Sequence, residues 1–156
     1  MGQKILVAMD DSENARRAVE FVAKNFNPEH EITLFSVLPD TAAICDMNSP
    51  ELTPYFLSER TAFCTLEDKK KSLVTEALQK AKRILVDAGF AEDKITVKAE
   101  TKEKGIARDI AREAGMGYDV VVMGKRGLSG IKEFLLGSVS HKVLHALKDQ
   151  TFLLVN

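Results

Sequence analysis

The sequence predicts an α/β domain built on an open, doubly wound parallel sheet of five strands with helices on both faces, and three observations predict it. Five short apolar runs, residues 5–9, 32–38, 95–99, 120–123 and 152–155, are rich in Val, Ile, Leu and Phe. Most of them lack a clean apolar/polar alternation, which is the pattern of strands covered on both faces. Between them lie stretches whose apolar residues recur at three and four, so strand and helix alternate along the chain.

The first run, Ile5-Leu6-Val7-Ala8-Met9, stops at Asp10 and is too short for a signal core or a membrane span. Ala15, Ala18, Val19, Val22 and Phe26 then mark a helix. The second run leads into residues 39–58, which hold Pro39, Pro50 and Pro54 without a sustained period, and we expect an irregular insertion there. Leu66, Leu73, Ala77, Leu78, Ala81, Leu85 and Ala88 predict a long second helix, with Gly89 placed to end it at positive φ. After the third run, Ile106, Ile110, Ala111 and Ala114 repeat the pattern, with Gly115 in the same terminating position. The fourth run meets a glycine-rich segment, Val139, Val143, Leu144 and Leu147 mark the last helix, and Phe152-Leu153-Leu154-Val155 closes the sheet as an edge strand.

The chain has 156 residues, 22 Lys+Arg against 23 Asp+Glu, and a formal net charge of −1. That length suits one domain over residues 1–156 with a single well-buried core. Balanced charge supplies no basic face for nucleic acid or an anionic membrane, so any anion chemistry is local. Leu6 stands where an N-myristoylation signal beginning at Gly2 needs Ser or Thr. A cytoplasmic protein is expected. Cys45 and Cys64 are too few and too far apart for a Cys-x-x-Cys pair or a zinc site, a disulfide framework would need more of them, and reduced thiols are expected.

Ligands of such sheets bind beyond the carboxyl ends of the strands. Two segments leave the strongest strands at that edge: Asp10-Asp11-Ser12, and residues 124–140, Gly-Lys-Arg-Gly-Leu-Ser-Gly-Ile-Lys-Glu-Phe-Leu-Leu-Gly-Ser-Val-Ser. Gly124, Gly127 and Gly130 let backbone turn and approach a ligand closely, and Gly137-Ser138 opens a helix whose first amides lack internal partners. Glycine loop and helix N-terminus together suit a phosphate chain, with hydroxyls from Ser138 and Ser140 and charge from Lys125 and Arg126. A plain strand-to-helix loop capped by Ser138 is the alternative. Asp10 has two roles open to it as well, a ribose-binding carboxylate or an Asx turn or cap at the start of the first helix, where Asp11 and Ser12 also qualify.

Competing motifs fail. There is no Gly-x4-Gly-Lys-Ser/Thr, no Gly-x-Gly-x-x-Gly after the first strand, and Ile131 stands where a nucleophile elbow around Ser129 needs its second glycine. His141 and His145 share a helical spacing, but Lys142 sits where a zinc-protease helix has Glu, and no protein-bound metal is expected. Lys69-Lys70-Lys71 reads as a solvated face, as do Lys80, Lys82 and Arg83.

The spacing Gly-x2-Gly-x9-Gly-Ser, from Gly124 through Gly127 to Gly137 and Ser138, resembles the nucleotide-binding signature of the ATP-binding branch of the universal stress protein family. The likeness runs through the opening Lys4-Ile5-Leu6-Val7-Ala8-Met9-Asp10-Asp11-Ser12-Glu13, Phe35-Ser36-Val37, Tyr118-Asp119-Val120-Val121-Val122-Met123-Gly124 and the closing strand. It implies a Rossmann-like sheet of strand order 3-2-1-4-5 and a stress-response protein that binds ATP, ADP or AMP, with Mg²⁺ travelling on the phosphates. Position by position, it implies backbone of Ala8 and Met9 near the adenosine, Asp10 on the ribose hydroxyls with Ser12 left as the cap, and Val37 on the adenine edge. The phosphates fall to Met123, Gly124, Lys125, Arg126, Gly127, Gly137, Ser138, Val139 and Ser140. A homodimer through the edge from Phe152 to Val155 is implied too, and pairing would cover an apolar edge that is otherwise an aggregation hazard.

Hydrolysis needs an oriented water and stabilisation of transferring charge, and no assignable pair supplies them; Glu133, Lys125 and Arg126 are available without fixed geometry. The expected function is therefore a nucleotide-dependent regulatory module with slow or no turnover. The alternatives are a dimeric interaction module in which nucleotide is incidental, and a slow ATPase or phosphotransferase.

Overall fold

A computed structural model describes residues 2–47, 53–125 and 138–156. Five strands, β1 (Lys4–Ala8), β2 (Glu31–Leu38), β3 (Ile95–Thr101), β4 (Val120–Gly124) and β5 (Thr151–Val155), form one sheet in the order β3-β2-β1-β4-β5. All four pairings are parallel, and Ile5 lies between Ile32 and Val120. The expected fold class and strand order are both observed.

The continuous apolar runs have a simple cause. On β1, Ile5 and Val7 enter one core cluster while Leu6 and Ala8 enter the other, so alternate residues face different layers and both are apolar. Helices α1 (Glu13–Asn25) and α3 (Pro54–Asp87) cover the first face, and α4 (Ile106–Ala114) and α5 (Ser138–Ala146) the second. Each fully buried Ile, Leu or Val of this sheet contributes roughly 1.5–3 kcal/mol through removal of apolar surface from water.

α1 starts as the sequence asks. The Ser12 hydroxyl accepts the Ala15 N–H at 3.1 Å, and Glu13 sits in the first turn, where a negative charge complements the helix dipole. The segment 39–58 is not irregular throughout: it contains the short helix α2 (Ala42–Cys45), and Pro54 occupies the first turn of α3 with Thr53 as its cap. α3 therefore begins well before Leu66, where the apolar period first shows. Its residues 54–66 bury no side chain; burial starts at Glu67 and continues with Leu78, Ala81 and Leu85.

Two further expectations need correction. Gly89 ends α3 at φ +105° as anticipated, but Gly115 stays right-handed at φ −71° and continues the last turn of α4, so the left-handed residue is Gly117 at φ +91°. Cys45 and Cys64 are joined in a disulfide, with Cα atoms 5.9 Å apart, and are not free thiols. Because α3 runs back past α2, a pair separated by 19 positions is brought together, and one bridge needs none of the spacing regularity that a framework shows. No helix among the described residues is long and apolar enough to cross a membrane.

Candidate functional site

A cleft of about 490 Å³ opens at the carboxyl ends of β1, β2 and β4, within the range typical of small-molecule sites. Its floor is the ends of the strands: Ala8 and Met9, then Phe35, Ser36 and Val37, then Met123 and Gly124. The loop Asp10-Asp11-Ser12 and Ala15 form one side, Val139 and Ser140 in the first turn of α5 another. Pro39 with Glu67, Lys70 and Val74 of α3, and Lys102 with Ile106 and Ile110 at the start of α4, complete the walls. The chain winds in opposite directions from β1 and β4, so their connections diverge and leave this crevice open.

Ala8, Met9, Asp10, Val37, Met123, Gly124, Val139 and Ser140, all singled out from the sequence, come together here. Lys125 and Ser138 do not line the cleft; the Lys125 backbone N–H donates to the Val155 carbonyl at 2.7 Å and so belongs to the β4–β5 ladder. Arg126, Gly127 and Gly137, and with them most of the expected glycine cradle, lie outside the described residues.

Asp10 shows the local role that residue type alone allowed. Its Oδ1 accepts the Ser12 N–H at 2.9 Å, an Asx turn that sets the exit from β1, while capping falls to Ser12. The glycine at 124 lines the cleft and also answers a packing demand that the sequence did not show. A Cβ there would lie 2.3 Å from the Asn14 carbonyl oxygen, so position 124 must be glycine for the first turn of α1 to pack against β4. The residue is not at positive φ, and the space it saves is taken by backbone.

The cleft carries mixed charge. Lys70 Nζ lies 3.1 Å from Oε1 of Glu67, a carboxylate only 8% exposed, and Lys71 Nζ donates to the Thr41 hydroxyl at 3.1 Å. The wall leading to α4 is held by the buried Asp109 side chain, which accepts the backbone N–H groups of Glu103 at 2.8 Å and Lys104 at 3.1 Å. Burial alone would raise the Asp109 carboxyl, but those two donors and the Arg112 guanidinium outweigh it and hold it below the usual carboxylate range. Beneath that wall, buried Glu113 accepts from Lys98 Nζ at 2.9 Å and from the Tyr118 hydroxyl at 2.8 Å. The Glu113 bond is the main cause that lifts the Lys98 ammonium above its ordinary value, and desolvation raises the Tyr118 phenol. His141 and His145 do share a face of α5, Nε2 to Nε2 at 3.2 Å, with both rings exposed.

Sequence reasoning missed Glu67, Lys70 and Val74. They recur at three and four along α3 and so share its cleft side, yet the mixed polarity of that side hides it from a search for apolar period. Lys70 in particular sits at the cleft margin and not merely in a solvated run.

With this geometry in place, the relatives can be compared. The sequence profile described as the universal stress protein family matches residues 1–149. The chain belongs to the universal stress protein family. Universal stress protein YxiE of Bacillus subtilis is 30% identical to it over 143 residues, 92% of each chain. A solved universal stress protein in complex with cAMP superimposes with a TM-score of 0.64 at 20% identity, covering 99% of this chain and 97% of that one. An Arabidopsis thaliana universal stress protein family protein with AMP bound gives 0.58 at 20% identity, covering 99% and 92%. At that identity the two structures speak for the shared fold.

Proposed function

We propose that this universal stress protein binds an adenine nucleotide, ATP or its products ADP and AMP, in the cleft at the carboxyl edge of the sheet, and acts as a nucleotide-dependent regulatory module. One observation carries the reading: residues chosen from four separate stretches of sequence, ending β1, β2 and β4 and opening α5, line a single cleft. The cAMP and AMP complexes of the two structural relatives support the ligand class. Purine sits against Val37 and the backbone of Met9, ribose against Asp10, and phosphates reach toward Ser140 at the N-terminal turn of α5, the end at which a helix dipole favours anions. Mg²⁺ accompanies the phosphates with little help from protein side chains. The protein binds and responds in this reading, with slow or no turnover, in the cytoplasm, and pairs with a second copy along β5, an edge strand of the sheet.

A second reading, an interaction module, is favoured by the apolar residues that α3 exposes before its buried half, among them Tyr55 at 76% and Leu66 at 53%.

Calorimetric titration of the full chain with AMP, ADP and ATP tests the first reading, with Asp10→Asn as the control. Asparagine keeps an acceptor for the Ser12 N–H and removes the charge. A lost charge-assisted pair of hydrogen bonds to ribose is expected to weaken binding about tenfold or more. Absence of binding by the unmodified protein to all three nucleotides would overturn the assignment.

A further inference from the structure

Cys45 and Cys64, the two cysteines of the chain, join the strap between β2 and α3 to α3 itself. Their position relative to the cleft is the point of interest. Pro39, on the β2 side of the strap, lines the cleft, and so does Glu67, one turn past Cys64 on α3. The bond thus joins the two chain segments that bring Pro39 and Glu67 to the cleft, without lining the cleft itself.

Neither cysteine belongs to either core cluster. Both are half-buried, in a stretch where residues 54–66 of α3 bury nothing. Cleaving the bond therefore leaves the sheet and its two apolar layers in place. Among the described residues, the remaining polar ties across the strap are Lys71 Nζ to the Thr41 hydroxyl and Arg60 to the Met47 carbonyl. Two single hydrogen bonds hold two segments far less firmly than a covalent link.

We propose that Cys45–Cys64 is a thiol–disulfide exchange site whose state sets how firmly the strap is pinned beside the cleft, and so couples nucleotide affinity to thiol redox poise. The coupling to affinity rests on the nucleotide reading above. The exchange is balanced with a dithiol reductant. One of its thiolates attacks a cysteine sulfur and displaces the other cysteine as a thiolate, and its second thiol then resolves the mixed disulfide. The protein gains two electrons and two protons as two cysteine thiols, and the reductant leaves as its own disulfide. The bonded form has its walls preorganised and binds nucleotide more tightly, because ordering the strap is not charged against binding.

The test compares the intact protein oxidised with diamide, reduced with dithiothreitol, and the Cys45→Ser and Cys64→Ser variants. Hydrogen exchange read by mass spectrometry is expected to rise on reduction across residues 39–47 and 53–66 and to spread into 67–74, with β1 and β4 unchanged. AMP affinity is expected to fall about tenfold on reduction, and both serine variants should match the reduced form and ignore dithiothreitol. Failure of diamide to close the bond overturns the site. Exchange confined to the residues next to each cysteine, or equal AMP affinity in both states, overturns the coupling. If neither state binds AMP, the nucleotide reading fails, and the exchange pattern alone decides whether the cysteines control the cleft.

Discussion

The two halves of α3 are one unbroken helix in two different environments. From Glu67 onward it lies on the sheet, with Leu78, Ala81 and Leu85 packed into the core shared with α1 and β1. Before that point it buries nothing, although it carries Phe56, Leu57, Phe63 and Leu66, each well exposed. The contrast teaches that apolar content does not make a core; a facing layer does. The first half is held by its ends, the Thr53 cap on one side and the Cys64 bridge on the other, and the second by burial.

The largest effect should fall on the packed half. Leu85→Ala is expected to destabilise the protein by about 2–5 kcal/mol in urea denaturation, while Phe63→Ala on the same helix should stay within about 0.5 kcal/mol. Comparable losses at both positions would show that the first half packs on something in solution.

An intermediate effect lies on the opposite wall, where a connection of similar duty is anchored by a buried carboxylate in place of a covalent bridge. The folded-state pKa of Asp109 is depressed, with burial opposed and outweighed by the Glu103 and Lys104 amides and Arg112. Its contribution is therefore fully present above the unfolded value of about 3.9, and is lost as pH falls through the lower folded value. Asp109→Asn should lower stability at pH 7 by about 1–3 kcal/mol and flatten the acid limb of the pH dependence below about 4, read from denaturation midpoints. An unchanged acid limb would remove Asp109 from the account.

The smallest effect separates two caps of the same chemistry. Ser12 accepts from Ala15 at 3.1 Å and Thr53 from Phe56 at 3.2 Å. Ser12→Ala, at a helix packed on the core, should cost about 1 kcal/mol globally. Thr53→Ala should lower helicity by circular dichroism while leaving the global midpoint almost unchanged, because the turn it caps opens locally.

Much of this was legible beforehand, for identifiable reasons. Strands covered on both faces write themselves as apolar runs, so β1 to β5 were visible within a residue or two at most ends. The cleft-lining ends of β1, β2 and β4 followed from that placement. The first half of α3 was not legible, because with no buried face its apolar residues keep no period; Thr53-Pro54, a sound start signal, was masked by reading the prolines as breakers. The Cys45–Cys64 pairing depends on how α2 and α3 lie against each other, which no spacing of 19 encodes. The packing demand on Gly124 was not legible, because the helix that imposes it is more than a hundred positions away in the chain.

That glycine has a mechanical consequence. With the Asn14 carbonyl standing where its side chain would be, the end of β4 and the beginning of α1 touch backbone to backbone, with no compressible side chain between them. Any side chain placed at 124 would have to force the end of β4 and the beginning of α1 apart, so the seam between them admits no larger residue without moving a whole helix.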